Sequence, residues 1–359
     1  MNLESFWVVS WVNSIGFLSG LPEWCYAAIS LLCIFFFVLI PSLVFIVFFD
    51  RKLSADLQAR VGPNRAGPAG VLQPIADLLK LLQKDTRSPW GWIESLWISI
   101  HSMVLYSSLA VIPLGSLALL LDTEMSAFLP FWSALVLALG TILLGLSQGT
   151  VAGWFGGIRV AAQALSGAFP ALISLLCTGV RAGGFRWTVL AGSQGFAPWS
   201  WTVASNPFQA IAFLVFVMSG LVLLGIAPLE GGQSMSDIHG GVATHLSGRR
   251  LVLFRFGRFY GFFCWSVISV VLFLGAWNLP LQFRELLVRA ELYPLIGFFE
   301  LVCLLMKTFC LMMVIVWIAR VNPRSRVDQI TDFTWKVLSP FSLSALVGAG
   351  IWAGWRAFL

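Results

Sequence analysis

LIGFFELVCLLMKTFCLMMVIVWI, residues 295–318, contains only two ionisable side chains other than cysteine, Glu300 and Lys307. Wound as an α-helix rising about 1.5 Å per residue, the run exceeds the roughly 30 Å hydrocarbon core of a bilayer. A membrane β-barrel would instead alternate apolar and polar residues in segments of about ten, and this chain does not. Seven further runs have the same character, at 25–49, 96–121, 128–147, 160–180, 208–227, 259–279 and 337–356. The expected fold is all-α, a polytopic membrane protein of about eight transmembrane helices forming a single membrane domain over 1–359. Gly167 and Pro170 interrupt the run at 160–180, which is tolerated where neighbouring helices re-satisfy the freed backbone groups. Residues 1–24 are expected on the membrane surface. They open MNLESFWVVSWV, with Glu4 and no basic residue, so they lack a secretory leader's positive start, and the first span is expected to serve as its own insertion signal.

Composition agrees. The chain is 58% hydrophobic and 11% charged, with mean hydropathy +0.88, where a soluble protein carries about a quarter charged residues. Seventeen Trp and thirty Phe suit interfacial belts and lipid-facing packing. The basic residues are sorted: seven lie in 50–94, Arg159 in 148–159, four in 228–258 and four in 319–336. Arg181, Arg186, Arg284, Arg289 and Arg356 fall on the opposite side. The richer side is expected to be cytoplasmic, with both termini opposite. The net charge of +6 then reflects sorting and calls for no nucleic-acid partner. Cys25, Cys33, Cys177, Cys264, Cys303 and Cys310 form no C-x-x-C pair, and His101, His239 and His245 are scattered. Neither set has the spacing of a metal or iron–sulfur site.

The two long loops, 50–94 and 228–258, lie on the basic side. In the first, GPNRAGPAG (62–70) packs three glycines and two prolines into a short stretch. Proline fixes φ while glycine permits left-handed or close-approach geometry, so an ordered turn is expected, built on Gly62, Pro63, Asn64 and Gly67. VLQPIADLLKLLQK (71–84) then begins a helix, with Pro74 in its first turn. Val71, Leu72, Ile75, Leu78, Leu79 and Leu82 share one face; Gln73, Asp77, Lys80 and Lys84 share the other. Too short and too charged to span, this amphipathic helix is expected to lie in the interface.

DRKLSADLQARVGPNRAGPAGVLQPIADLLKLLQKD (50–85) resembles the first cytoplasmic loop of the quinone-chamber membrane subunit of respiratory complex I, the H subunit of the bacterial enzyme and its mitochondrial counterpart. Only the opening differs, with Asp50 where Glu is usual. GGIRVAAQALS (156–166), FLGAW (273–277) and NPRSRVDQITDFTWKVLSP (322–340) resemble further segments of that family in the same order. The resemblance implies a membrane component of an oxidoreductase in a bacterial inner membrane, with its basic loops cytoplasmic. Quinone would be its substrate, and the chain itself would bind no metal or iron–sulfur cluster. Its partners would be other membrane subunits and a peripheral iron–sulfur subunit over the quinone site. Gln58, Arg60, Asp77 and Arg159 become candidates for lining the chamber or docking its loops.

The family also carries carboxylates running from the chamber toward the membrane midplane, and here the chain departs. Ser166-Gly167-Ala168 replaces a Ser-Tyr-Glu segment. In IAPLEGGQSMSDIHGGVATHLS (226–247), Glu230 and Asp237 fall at acidic positions, but Gln233, Met235 and His245 replace glutamates, and Arg258 reverses a charge. The proton-path candidates are therefore Glu230, Asp237, Glu300 and Lys307, with Arg258 able to pair with Glu230 or Asp237. Glu300 and Lys307, seven apart, share one helical face. A weakened or rerouted proton path is expected. Two alternatives stand beside this reading: the equivalent membrane component of a membrane-bound hydrogenase or formate hydrogenlyase-type complex, and a redox-inactive membrane anchor for a peripheral module.

Overall fold

The computed structural model describes residues 32, 34–84, 91–116, 122–231, 242, 246, 248–289 and 293–358. Among them the chain is helical, with no strand. A π-helical turn, Ile34–Leu39, leads into α1 (Ile40–Leu57), and the Gly/Pro turn follows before α2 (Gln73–Leu82). Next come α3 (Gly91–Val111), α4 (Leu129–Ser147), α5 (Val151–Ala182), α6 (Pro207–Leu224), α7 (Gly248–Phe273), α8 (Leu281–Arg289) and α9 (Tyr293–Val321). The short α10 (Val327–Phe333) passes through a π-helical turn into α11 (Ser339–Phe358).

Six described helices are long and apolar enough to cross a membrane: Ser126–Ser147, Val151–Ala182, Pro207–Leu224, Gly248–Phe273, Leu295–Val321 and Val327–Trp355. Of the predicted span 25–49, residues 34–49 lie in the π-helical turn and α1; of 96–121, residues 96–111 lie in α3 and 112–116 are not helical. Residues 1–24 and Asp237 lie outside the described residues.

Predicted bounds move in both directions: α3 ends at Val111 and α7 at Phe273, short of the predicted 121 and 279, while others extend past charged residues. The helix predicted from 160 begins at Val151, so Arg159 is helical and the loop shrinks to a turn. The helix predicted from 259 begins at Gly248 and carries Arg249, Arg250, Arg255 and Arg258. The helix predicted to end at 318 continues through Arg320 to Val321. Hydropathy breaks a run at each arginine, but backbone hydrogen bonding does not, because the long aliphatic stem carries the charge to a partner or to water.

The core gathers on α5, α6 and α7. Pro170 does not break α5, and Gln163 on it donates to the Val222 and Leu229 carbonyls at 2.9 and 2.6 Å, tying α5 to the end of α6 and the turn beyond. At the α6–α7 contact, a β-carbon on Gly220 would lie 1.8 Å from Trp265 Nε1. The two backbones can therefore approach, letting Trp265 donate to the Phe216 carbonyl at 3.1 Å and stack on its ring at 4.6 Å.

The Gly/Pro turn is ordered, but its tightest point is a residue the sequence did not single out. Gly62 packs on Lys52 and Ala55 at the end of α1. Gly67 and Gly70 take positive φ, 73° and 85°. A β-carbon on Gly70 would meet the Pro63 carbonyl oxygen at 2.2 Å, so the chain closes on itself and sends α2 back along α1. Gly70→Ala is expected to cost about 1–3 kcal/mol, read as a lower unfolding temperature and new protease cleavage within residues 59–72; an unchanged melting point and cleavage pattern would count against this closure.

Candidate amphiphile chamber

A cavity of about 790 Å³ opens between α1, α2, α7, α9 and the turn at 226–230. Its walls are helical faces that the sequence already spaces. Ile40, Leu43, Val44 and Val47 line it from α1, Pro74, Ile75, Leu78 and Leu81 from α2, and Ile315, Val316 and Ala319 from α9. From α7 come eight residues between Leu251 and Phe262, among them Arg255 and Arg258, three apart and so on one side of the helix.

Charge gathers at one end. It falls in the second half of α1 (Asp50, Arg51), the end of α9 and just beyond (Arg320, Arg324), the first half of α7, and the facing Asp77 and Glu230. Arg320 forks onto Asp50, with Nε 2.9 Å from Oδ1. Arg51 pairs with Asp77, which also accepts from Gln73 at 2.9 Å. Glu230 is shared by Arg324 at 2.9 Å and Arg258 at 3.7 Å. These four contacts join elements around the charged end: α1 to α9, α1 to α2, and the 226–230 turn to both α7 and the segment after α9. Ser325 closes the last junction, its N–H donating to the Pro228 carbonyl at 3.1 Å.

Burial works against the Asp77 carboxylate, but hydrogen bonds from Gln73 and Arg51 and the charges of Arg51 and Lys80 outweigh it, leaving the group below its ordinary value of 3.8. A depressed carboxylate stabilises the fold above its unfolded value and loses that contribution as pH falls through the folded one. The α1–α2 strap is thus complete at neutral pH and weakens only in acid.

The residues singled out from sequence divide. Asp77 and Glu230 line the cavity. Gln58 and Arg60 lie exposed on the turn after α1, joined to each other at 2.8 Å, and Arg159 sits on α5 outside the lining. Asn64 is exposed on the Gly/Pro turn. Glu300 is buried (2% exposed) and accepts from Ser116 N–H at 2.8 Å and Oγ–H at 2.6 Å. Lys307 donates to the Gly275 and Ala276 carbonyls at 3.1 and 3.0 Å beneath the Trp201 ring, capping the end of α7 inside the FLGAW segment. The two share α9, yet each is bound elsewhere. The sequence marks Asp50 as a departure from a pattern and Arg258 as a reversed charge able to pair with Glu230 or Asp237, and it does not mark Arg51, Arg255, Arg320 or Arg324 as lining residues. The signal was present for α7, where 251, 255, 258 and 262 repeat at helical spacing. It was absent for Arg324, which no periodicity connects to Glu230.

A helical membrane protein enclosing a chamber apolar along its walls and charged at one end is built to hold an amphiphile. The family profile described as NADH dehydrogenase matches residues 29–350, and the chain belongs to that family. It is similar to the H subunit of the NADH-quinone oxidoreductase of Chlorobaculum tepidum, 31% identical over 325 residues covering 88% of this chain and 89% of that protein. The protein of the same description from Rubrobacter xylanophilus is 31% identical over 297 residues, covering 82% and 86%. That of Anaeromyxobacter dehalogenans is 29% identical over 337, covering 91% and 81%.

The Asp50–Arg320 fork is partly exposed, so its coupling is modest, about 1 kcal/mol. Asp50→Asn and Arg320→Gln are each expected to lower the unfolding temperature, and the double variant to cost less than the sum of the two; strict additivity would show that the fork does not fasten α1 to α9. Asp77→Asn is expected to flatten the acid limb of the stability profile measured below pH 4.

Proposed function

We propose that the chain is the H-type membrane component of an NADH:quinone oxidoreductase, and that the chamber admits quinone, with its isoprenoid tail along α1, α2 and α9 and its head toward the arginines. The observation that carries this reading is the segregation of the lining, apolar over most of its length and charged where the second half of α1 and the end of α9 meet the first half of α7. Apolar walls exclude water and hold the tail, while guanidinium groups fixed by ion pairs donate hydrogen bonds to carbonyl oxygens without reorganising. The names of the relatives favour the quinone branch over a hydrogenase-type complex and over a bare anchor. Electrons would arrive from a peripheral iron–sulfur subunit above the charged end. Gln58, Arg60 and Arg159, off the chamber wall, suit contacts with such a partner. The sorting of basic residues supports a bacterial inner membrane location with those loops cytoplasmic.

The same reading includes a weakened proton path. Glu230 is committed to two guanidinium groups, Glu300 to Ser116 and Lys307 to backbone carbonyls. Among the described residues none of the three bonds directly to another.

Two measurements test the proposal on the purified complex. Val44→Trp, which fills the apolar wall, is expected to raise KM for a long-chain quinone about tenfold more than for a tailless analogue, an effect of roughly 1.4 kcal/mol. Equal kinetics for both substrates would remove the chamber from the quinone route. Proton translocation per electron is expected below that of complex I with an intact carboxylate series; an undiminished ratio would overturn the weakened path.

A further inference from the structure

The charged end of the chamber does not balance. Five guanidinium groups line it against three carboxylates. Asp50 and Asp77 each answer one arginine, but the single carboxylate of Glu230 lies between two, Arg324 at 2.9 Å and Arg258 at 3.7 Å. Arg255, one turn before Arg258 on the same face of α7, lines the cavity, is exposed at it, and has no carboxylate within ion-pair distance among the described residues. Among the described residues the lining therefore carries a formal surplus of two positive charges, and the other described lining residues are apolar.

An exposed guanidinium at the mouth of an apolar cavity is open to an anion whose apolar chain lies along the walls. Arginine presents a planar fork matched to carboxylate or phosphate oxygens, and quinone, which is neutral, leaves that surplus unanswered. We infer that the chamber is also a site for a single-chain anionic amphiphile, a long-chain carboxylate or alkyl phosphate, with its head on Arg255 and the Arg258 edge of the Glu230 cluster and its chain along α1 and α9. The volume, about 790 Å³, lies within the range of pockets that enclose one small ligand. Such a ligand occupies the path proposed for quinone and competes with it. The inference shares the chamber with the quinone reading but stands without it, because it rests on the charge count and not on redox chemistry.

The test uses the purified complex in phosphatidylcholine nanodiscs and radiolabelled hexadecanoate, with hexadecanol as the chain-matched neutral probe. The expected result is a saturable hexadecanoate site that binds hexadecanol at least tenfold more weakly, the loss of a hydrogen-bonded charge being worth about ten- to a hundredfold. Arg255→Gln is expected to weaken hexadecanoate by a similar factor, while Arg255→Lys retains most of the binding. Displacement of hexadecanoate by anionic phospholipid added to the discs supports the same chemistry, with the bilayer as its source. Equal binding of acid and alcohol, or hexadecanoate binding indifferent to Arg255→Gln, overturns the inference and points to an acidic protein segment already covering the arginines. Should Arg255→Gln fail to assemble, Val44→Trp is the second variant: it keeps every charge and is expected to exclude the chain, so undiminished hexadecanoate binding there overturns the proposal equally. Val44→Trp with unchanged quinone kinetics but lost hexadecanoate binding would sink the quinone reading alone.

Discussion

Ion pairs between elements distant in sequence gather at the charged end of the chamber, and much of the architecture around it follows from which charges meet. Asp50 takes Arg320, Asp77 takes Arg51, and Glu230 takes Arg324 and Arg258. Each pair joins elements far apart in sequence, so satisfying the charges also fixes the positions of α1, α2, α7, α9 and the 226–230 turn. Ion pairs of this kind contribute little net stability compared with apolar packing of the same volume. What they supply is placement, since removing one partner strands the other against a greasy wall.

Packing supplies the frame on which those pairs are hung. The close approach of α6 to α7 at Gly220 and Trp265, and the Gln163 bridge from α5 to the end of α6 and the next turn, set the 226–230 segment at the rim of the chamber. On the other rim, the Gly70 closure against Pro63 returns α2 toward α1, within reach of the Arg51–Asp77 pair. The rim is therefore positioned from both sides by backbone geometry before any side chain meets across it. Lys307, capping the carbonyls at the end of α7, anchors the same helix at its far end.

Periodicity and composition made the helices legible, and a run such as 295–318 left no alternative to a spanning helix. They erred at several helix ends where arginine adjoins an apolar run, because hydropathy counts charge as an ending while the hydrogen-bonded backbone does not. The Gly/Pro turn was read as ordered, but the closest contact fell at Gly70, since positive φ and close approach depend on where the chain returns. Glu300 and Lys307 were read as a pair from their shared face; the neighbours that bind them, Ser116 and the 275–276 carbonyls, come from other parts of the chain.

What the sequence alone determined is the class of molecule: a helical membrane protein with an amphipathic segment after a rigid turn, and motifs placing it in one family. These are local properties, carried by hydrophobic spacing, backbone preference and short ordered strings of residues. Only the tertiary structure decided which charges meet. Among the described residues Arg258 meets Glu230, together with Arg324, which no pattern linked to either; Asp237 lies outside the described residues. Pairing across distant helices depends on the angle and depth at which they pack, and that information belongs to no single segment.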